Sequence, residues 1–143
     1  PANALLKALL AHLLLREDDV VLVDMEAGIE HLGRGTVRHV DALILVVESD
    51  RNSLATGRRT EELARRLGIG RIVAVANRVV DAEDEQTVRE GLPTTTPLVG
   101  LIPYVDALRH ASRRGTPPVD VAVPSISRLI DWLERTLGTP RHE

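Results

Sequence analysis

The sequence contains no cysteine and no phenylalanine, and its only rings of the tyrosine and tryptophan type are Tyr104 and Trp132. The missing thiols exclude disulfides, thiolate catalysis and cysteine-ligated metal within this chain. The shortage of rings leaves the core to Leu, Val, Ile and Ala. No run approaches the ~18 apolar residues that a membrane-crossing helix needs. Excess positive charge is missing too: 18 Lys and Arg stand against 21 Asp and Glu, a net charge of −3. That balance argues against nucleic-acid binding through overall charge. Nothing after Pro1 follows the basic, apolar, small-residue order of a signal peptide, so the expected location is cytoplasmic, without a membrane or nucleic-acid partner. What remains, 143 residues with 43% hydrophobic content, suffices for one domain with its own core. A chain beginning at Pro1 rather than Met is expected to have a processed start or to be part of something longer.

Residues 2 to about 15, ANALLKALLAHLLL, are apolar nearly all round and read as a mostly buried helix. Val20 to Val23, VVLV, is a short aliphatic run ending at Asp24 and reads as a strand buried on both faces. Met25 to Gly35 reads as a glycine-containing loop leading to a short helix near Thr36 to His39. The alternation then continues. Strands are expected at Ala42–Val47, Arg71–Ala76 and Pro97–Ile102. Helices are expected at Ser53–Leu67, Ala82–Glu90, Val105–Arg114 and Ser125–Leu137, with Gly68 and Gly115 as stops and Pro117-Pro118 as a rigid connector. Short strands alternating with helices imply an α/β fold with a parallel sheet of about four strands and flanking helices. Ligands of such sheets bind beyond the carboxyl ends of the strands. The residues there are Asp24, Glu48 to Asn52, Asn77 to Val80, and Pro103 to Asp106.

Two strand ends carry candidate chemistry. Asp24 could present a carboxylate to Mg²⁺ or its water, because a hard cation takes oxygen ligands; it could equally cap the following turn. Asn77 could read a base edge, since its amide donates and accepts in one plane; it could also be a turn residue in a left-handed conformation. Glu26, Glu30 and His31 lie near Asp24, but adjacent side chains diverge in regular structure, so no metal site is expected within the chain. Arg58-Arg59, Arg65-Arg66 and Arg113-Arg114 read as solvated helix faces, the first pair matched by Glu61 and Glu62. The last helix offers Ile126, Leu129, Ile130, Leu133 and Leu137 on one face, suited to core packing.

Taken together the strand ends resemble those of one family. Val20 to Arg34 reads VVLVDMEAGIEHLGR. This resembles the switch-II region of the MinD/ParA-type P-loop ATPases, an apolar strand followed by D-x-x-A-G. The string D-M-E-A-G-I-E-H-L-x-R-G-T is particularly similar to the CooC-type ATPases, which assist nickel insertion into carbon monoxide dehydrogenase. I-V-A-V-A-N-R-V, L-V-G-L-I-P-Y and A-S-R-R-G follow in the family's order, and the resemblance covers essentially the whole chain.

The resemblance implies a partial P-loop NTPase fold of the SIMIBI/MinD-like kind. It implies that Asp24 lies near Mg²⁺, and that Ala27 and Gly28 form the loop sensing the γ-phosphate through a backbone amide. Asn77 would contact adenine, and the loop at Ile102 to Tyr104, Pro103 and Tyr104 included, would flank the base, largely through backbone groups. Arg78 stands where the family's N-K-x pattern has Lys. The family's phosphate loop, G-K-G-G-x-G-K-T, does not occur in this sequence. Its strand would lie between Val20–Val23 and Ala42–Val47. The family's Cys-x-Cys pair for nickel or zinc would fall before Pro1. Residues 1–143 are therefore expected to be the carboxyl-terminal portion of a MinD/CooC-like nucleotide-binding domain. ATP, Mg²⁺, ATP hydrolysis and homodimerisation would belong to the complete protein, with nickel held by ligands outside this chain and a metalloenzyme of the carbon monoxide dehydrogenase kind as client. The chain alone is expected to be inactive. The alternatives are a non-catalytic partner-binding or regulatory module, and a partition or septum-site ATPase.

Overall fold

The computed structural model describes residues 20–25, 40–115 and 119–137. Strands β1 (Leu43–Val47), β2 (Ile72–Val79) and β3 (Leu98–Pro103) form a parallel sheet in the order β1-β2-β3. Helix α1 (Arg51–Arg66) joins β1 to β2, and α2 (Ala82–Gly91) joins β2 to β3. Helices α3 (Asp106–Arg114) and α4 (Val119–Leu137) follow. The expected α/β class and parallel sheet are observed.

The central strand is buried on both faces, which is why β2 begins as an unbroken aliphatic run rather than an alternating one. Ile72, Ala74 and Ala76 join Leu45 and Val47 in a core closed by Leu54 and Ala64 of α1 and Val88 of α2. Val73 and Val75, on the opposite side of the pleat, are also buried, and α4 packs against β3 there. The helices approach closely. A β-carbon at Gly57 of α1 would stand 2.9 Å from Val47 Cγ1, and one at Gly100 of β3 would meet Val75 at 3.3 Å and Leu129 at 3.7 Å.

The helix ends follow capping chemistry. Asp50 caps α1, its Oδ1 accepting the amides of Asn52 (2.9 Å) and Ser53 (3.0 Å). The helix therefore starts at Arg51, two residues before the sequence-based start. Ser53 serves another purpose: its Oγ accepts the amide of Glu48 at 2.8 Å and fixes the turn after β1. At the other end Gly68 is left-handed (φ 96°), with Gly68 N–H donating to Arg65 O and Ile69 N–H to Ala64 O. This is a Schellman stop that also delivers Ile69 into the core.

Several expectations are corrected. Val20 to Val23 is not a strand: it lies outside the sheet and is exposed, with Leu22 at 74%. The sheet has three strands among the described residues rather than about four. A run of strand-forming residues becomes a strand only beside a partner that takes its amides and carbonyls, and this run pairs with none of the three strands. The last helix starts at Val119, not Ser125, so Pro124 falls inside it; a proline there removes one helical hydrogen bond. Glu61 and Glu62 pair with Arg65 and Arg66, not with Arg58-Arg59. That order, acid four residues before base, suits the helix dipole better. Arg58 Nε instead donates to the carbonyl of Gly91 at the end of α2. The expected helices at 2–15 and 36–39 and the connector at 117–118 lie outside the described residues.

Gly57→Ala tests the close packing. Helix propensity alone favours Ala by about 1 kcal/mol. Overpacking against buried, stiff Val47 costs about 1–3 kcal/mol. Net destabilisation on the order of 1 kcal/mol is expected, read as a lower urea midpoint.

Candidate functional site

The turns after β1 and β2 and the residue that follows β3 converge on one edge of the molecule. There Glu48, Ser49, Asp50, Arg78, Val80, Asp84 and Tyr104 line a shallow, open cleft of about 390 Å³. This is the position at which parallel sheets take ligands.

One carboxylate holds two of the turns together. Ser49 Oγ donates to Asp84 Oδ1 at 2.5 Å, and Val80 N–H donates to Asp84 Oδ2 at 2.8 Å. Asp84 is the third residue of α2, whose cap is Asp81. A carboxylate at that position ordinarily reaches back to the cap residue's amide; here it reaches one residue further. The Ser49 hydroxyl and then the Val80 amide hold the Asp84 carboxyl below its ordinary range.

A bulge shapes the other wall. Ala76 pairs with Leu101 and Val79 with Pro103, so β2 uses one residue more than β3 between these pairs. An earlier irregularity, between Ala74–Leu98 and Val75–Gly100, uses the extra residue on β3, and the two offsets cancel. Within the β2 bulge Arg78 adopts φ 58°, a left-handed conformation that ordinary residues avoid. Its guanidinium lies 5.6 Å from the centre of the Tyr104 ring and 3.5 Å, Nη1 to Oε2, from Glu48. Tyr104 N–H donates to Val79 O at 2.8 Å, which fixes the chain as it leaves β3.

The sequence-based site residues separate into groups. Tyr104 lines the cleft, 42% exposed. Pro103 is the last residue of β3 and is exposed. Asn77 is half-buried and sits inside β2, whose run continues to Val79, instead of following the strand. The left-handed backbone considered for Asn77 falls on Arg78, one residue later. Asp24 is exposed in an irregular stretch and does not line the cleft. Gly28 and Ala27, and the cluster of Glu26, Glu30 and His31, lie outside the described residues. No group of three potential metal-ligating side chains occurs among the described residues. Ser49 and Asp84 were missed as a pair. The spacing of Asp81 and Asp84 at a helix start is the signal that could have found the second of them.

Asp84→Asn is expected to destabilise the fold in a pH-dependent way. A carboxyl whose pKa is lower folded than unfolded adds stability above its unfolded value, near 4, and loses it as pH falls through the folded value. Urea unfolding of parent and variant should therefore differ at pH 7 and converge under strongly acidic conditions. A difference independent of pH would contradict the charged role of Asp84.

No protein-family model matches the chain. Among curated proteins it is 39% identical over 119 residues to an uncharacterized ATP-binding protein of Methanocaldococcus jannaschii, an alignment spanning 82% of this chain and 46% of the relative. It is 39% identical over 122 residues to the carbon monoxide dehydrogenase accessory protein CooC of Rhodospirillum rubrum, spanning 85% of this chain and 46% of that protein. A second ATP-binding protein of M. jannaschii is 37% identical over 81 residues, 57% of this chain and 32% of the relative. The chain thus spans about half the length of the first two curated relatives. With its parallel α/β sheet and this level of identity, the chain is similar to CooC and to archaeal ATP-binding proteins over about half of their length.

Proposed function

We propose that the chain is the carboxyl-terminal, base-recognising portion of an ATPase whose complete form matures a metallocentre. The observation that carries this reading is the cleft at the carboxyl ends of three parallel strands, with Tyr104 on its wall and Asn77 on the strand behind it. It occurs in a relative of ATP-binding proteins.

The residues present suit the base end of a nucleotide. Asn77 offers a planar amide, and Tyr104 a partly open ring beside the exposed Pro103. The phosphate end has no comparable host, because the sequence contains no glycine-rich P-loop. In the complete protein Asp24 would hold Mg²⁺ or its water, and Gly28 would offer its amide to the γ-phosphate. Magnesium would supply charge neutralisation at the phosphates. Nickel would be cargo, delivered to a client resembling carbon monoxide dehydrogenase by a homodimer. CooC, named as an accessory protein of that enzyme, supports the client class.

One observation favours the second reading, a non-catalytic partner-binding module: Val46 of β1, an edge strand of the sheet among the described residues, is 63% exposed.

The purified chain is expected to show no Mg-ATP turnover and to bind adenosine weakly, in the millimolar range (about −4 kcal/mol). Phosphate release assays and calorimetric titration check this. Turnover comparable to that of a full-length relative would contradict the division of labour. Equal binding of adenosine and uridine would contradict the assignment of Asn77 and Tyr104 to adenine.

A further inference from the structure

Arg78 belongs to no role assigned so far, yet its placement is costly and specific. It is the only non-glycine residue with positive φ among those described, and such conformations persist where the surroundings impose them. The bulge in β2 imposes this one. The result is a side chain that spans the cleft, reaching Glu48 beyond β1 on one side and the Tyr104 ring beyond β3 on the other. The backbone of Tyr104 is tied to Val79, and the guanidinium of Arg78 lies over the ring.

We propose that Arg78 is a positioning residue: held by Glu48, its guanidinium fixes the Tyr104 ring as the platform on which a nucleobase stacks. This rests on the nucleotide reading above and deepens it. A cation over a ring face is favourable and stiffens its orientation, and a ring already oriented loses less freedom when a base settles on it. Arg suits this task better than Lys, because its planar head stacks on the ring while its donors remain free for the carboxylate of Glu48.

The bulge makes a clean variant available. Arg78→Asn removes the cation, and Asn tolerates the left-handed backbone better than most residues. Arg78→Lys keeps the charge and loses the plane. Tyr104 is the only tyrosine and the chain has no phenylalanine, so its ring signals in an NMR spectrum of the 143-residue chain are unambiguous. Without ligand, R78N should shift and sharpen the Tyr104 ring signals towards those of a freely rotating ring, and R78K should restore them in part. Titrated with adenosine, R78N should bind about two- to fivefold more weakly than the parent, the factor expected for an exposed cation–ring contact. In a Tyr104→Leu background the same substitution should change affinity no further.

Ring signals unmoved by R78N, or an affinity loss that persists in the Y104L background, would overturn the positioning role while leaving nucleotide binding intact. A parent chain that binds no adenosine, with Tyr104 ring signals still responding to R78N, would instead defeat the nucleotide reading and with it the platform.

Discussion

The close approach of α1 to β1 sets the geometry from which the rest of the molecule follows. With almost no aromatic residues, the core fills its volume with Val, Leu, Ile and Ala, and short side chains require short distances between layers. Gly57 permits the contact with Val47, Gly91 lies under Leu54, and Gly100 admits Leu129 of α4 beside Val75. A β-carbon at Gly57 or Gly91 would force Val47 or Leu54 to shift, and one at Gly100 would stand tight against Val75. The carboxyl ends of the strands are held in place by the same contacts, because the turn after β1 leads directly into the helix that packs so tightly on it.

The candidate site is built on that frame by backbone devices more than by its own side chains. Asp50 and Asp81 cap the two helices that leave the sheet, and Asp84 joins the turns through Ser49 and Val80. A compensating pair of bulges lets β2 and β3 regain their register while leaving Arg78 of β2 outside the pairing ladder. Buried Glu61, 7% exposed, takes the Arg65 guanidinium and the hydroxyls of Thr95 and Thr96, which anchors the loop entering β3 from the far side. The candidate cleft and the loops at the opposite end of the strands are thus both pinned by carboxylates. Buried Glu61 is satisfied within the protein, in keeping with the rule that buried polar groups find partners.

Much of this was legible in the residues. The aliphatic runs at β1, β2 and β3 and the glycines at 68 and 115 located the sheet and the helix stops, since these signals are local. Val20–Val23 misled for a physical reason: strand composition describes fitness for a sheet, and pairing depends on which neighbour is present. Asn77 misled by one position, because a bulge cannot be read from one strand alone; it exists only as a mismatch of count between two. The Arg78–Tyr104–Glu48 contact was invisible for the same reason, joining residues from three separate strand ends. The family resemblance, by contrast, was carried by a contiguous string, and the identity to CooC and to archaeal ATP-binding proteins agrees with it.

The central claim is that the carboxyl ends of β2 and β3 form the base-recognising part of an ATP-binding protein. Backbone amide shifts of the isotope-labelled chain, followed during titration with adenosine, test it most directly. The account expects the largest changes at Asn77 to Val80 and at Tyr104 to Val105. Changes concentrated instead on α3 and α4, or along β1, would contradict it.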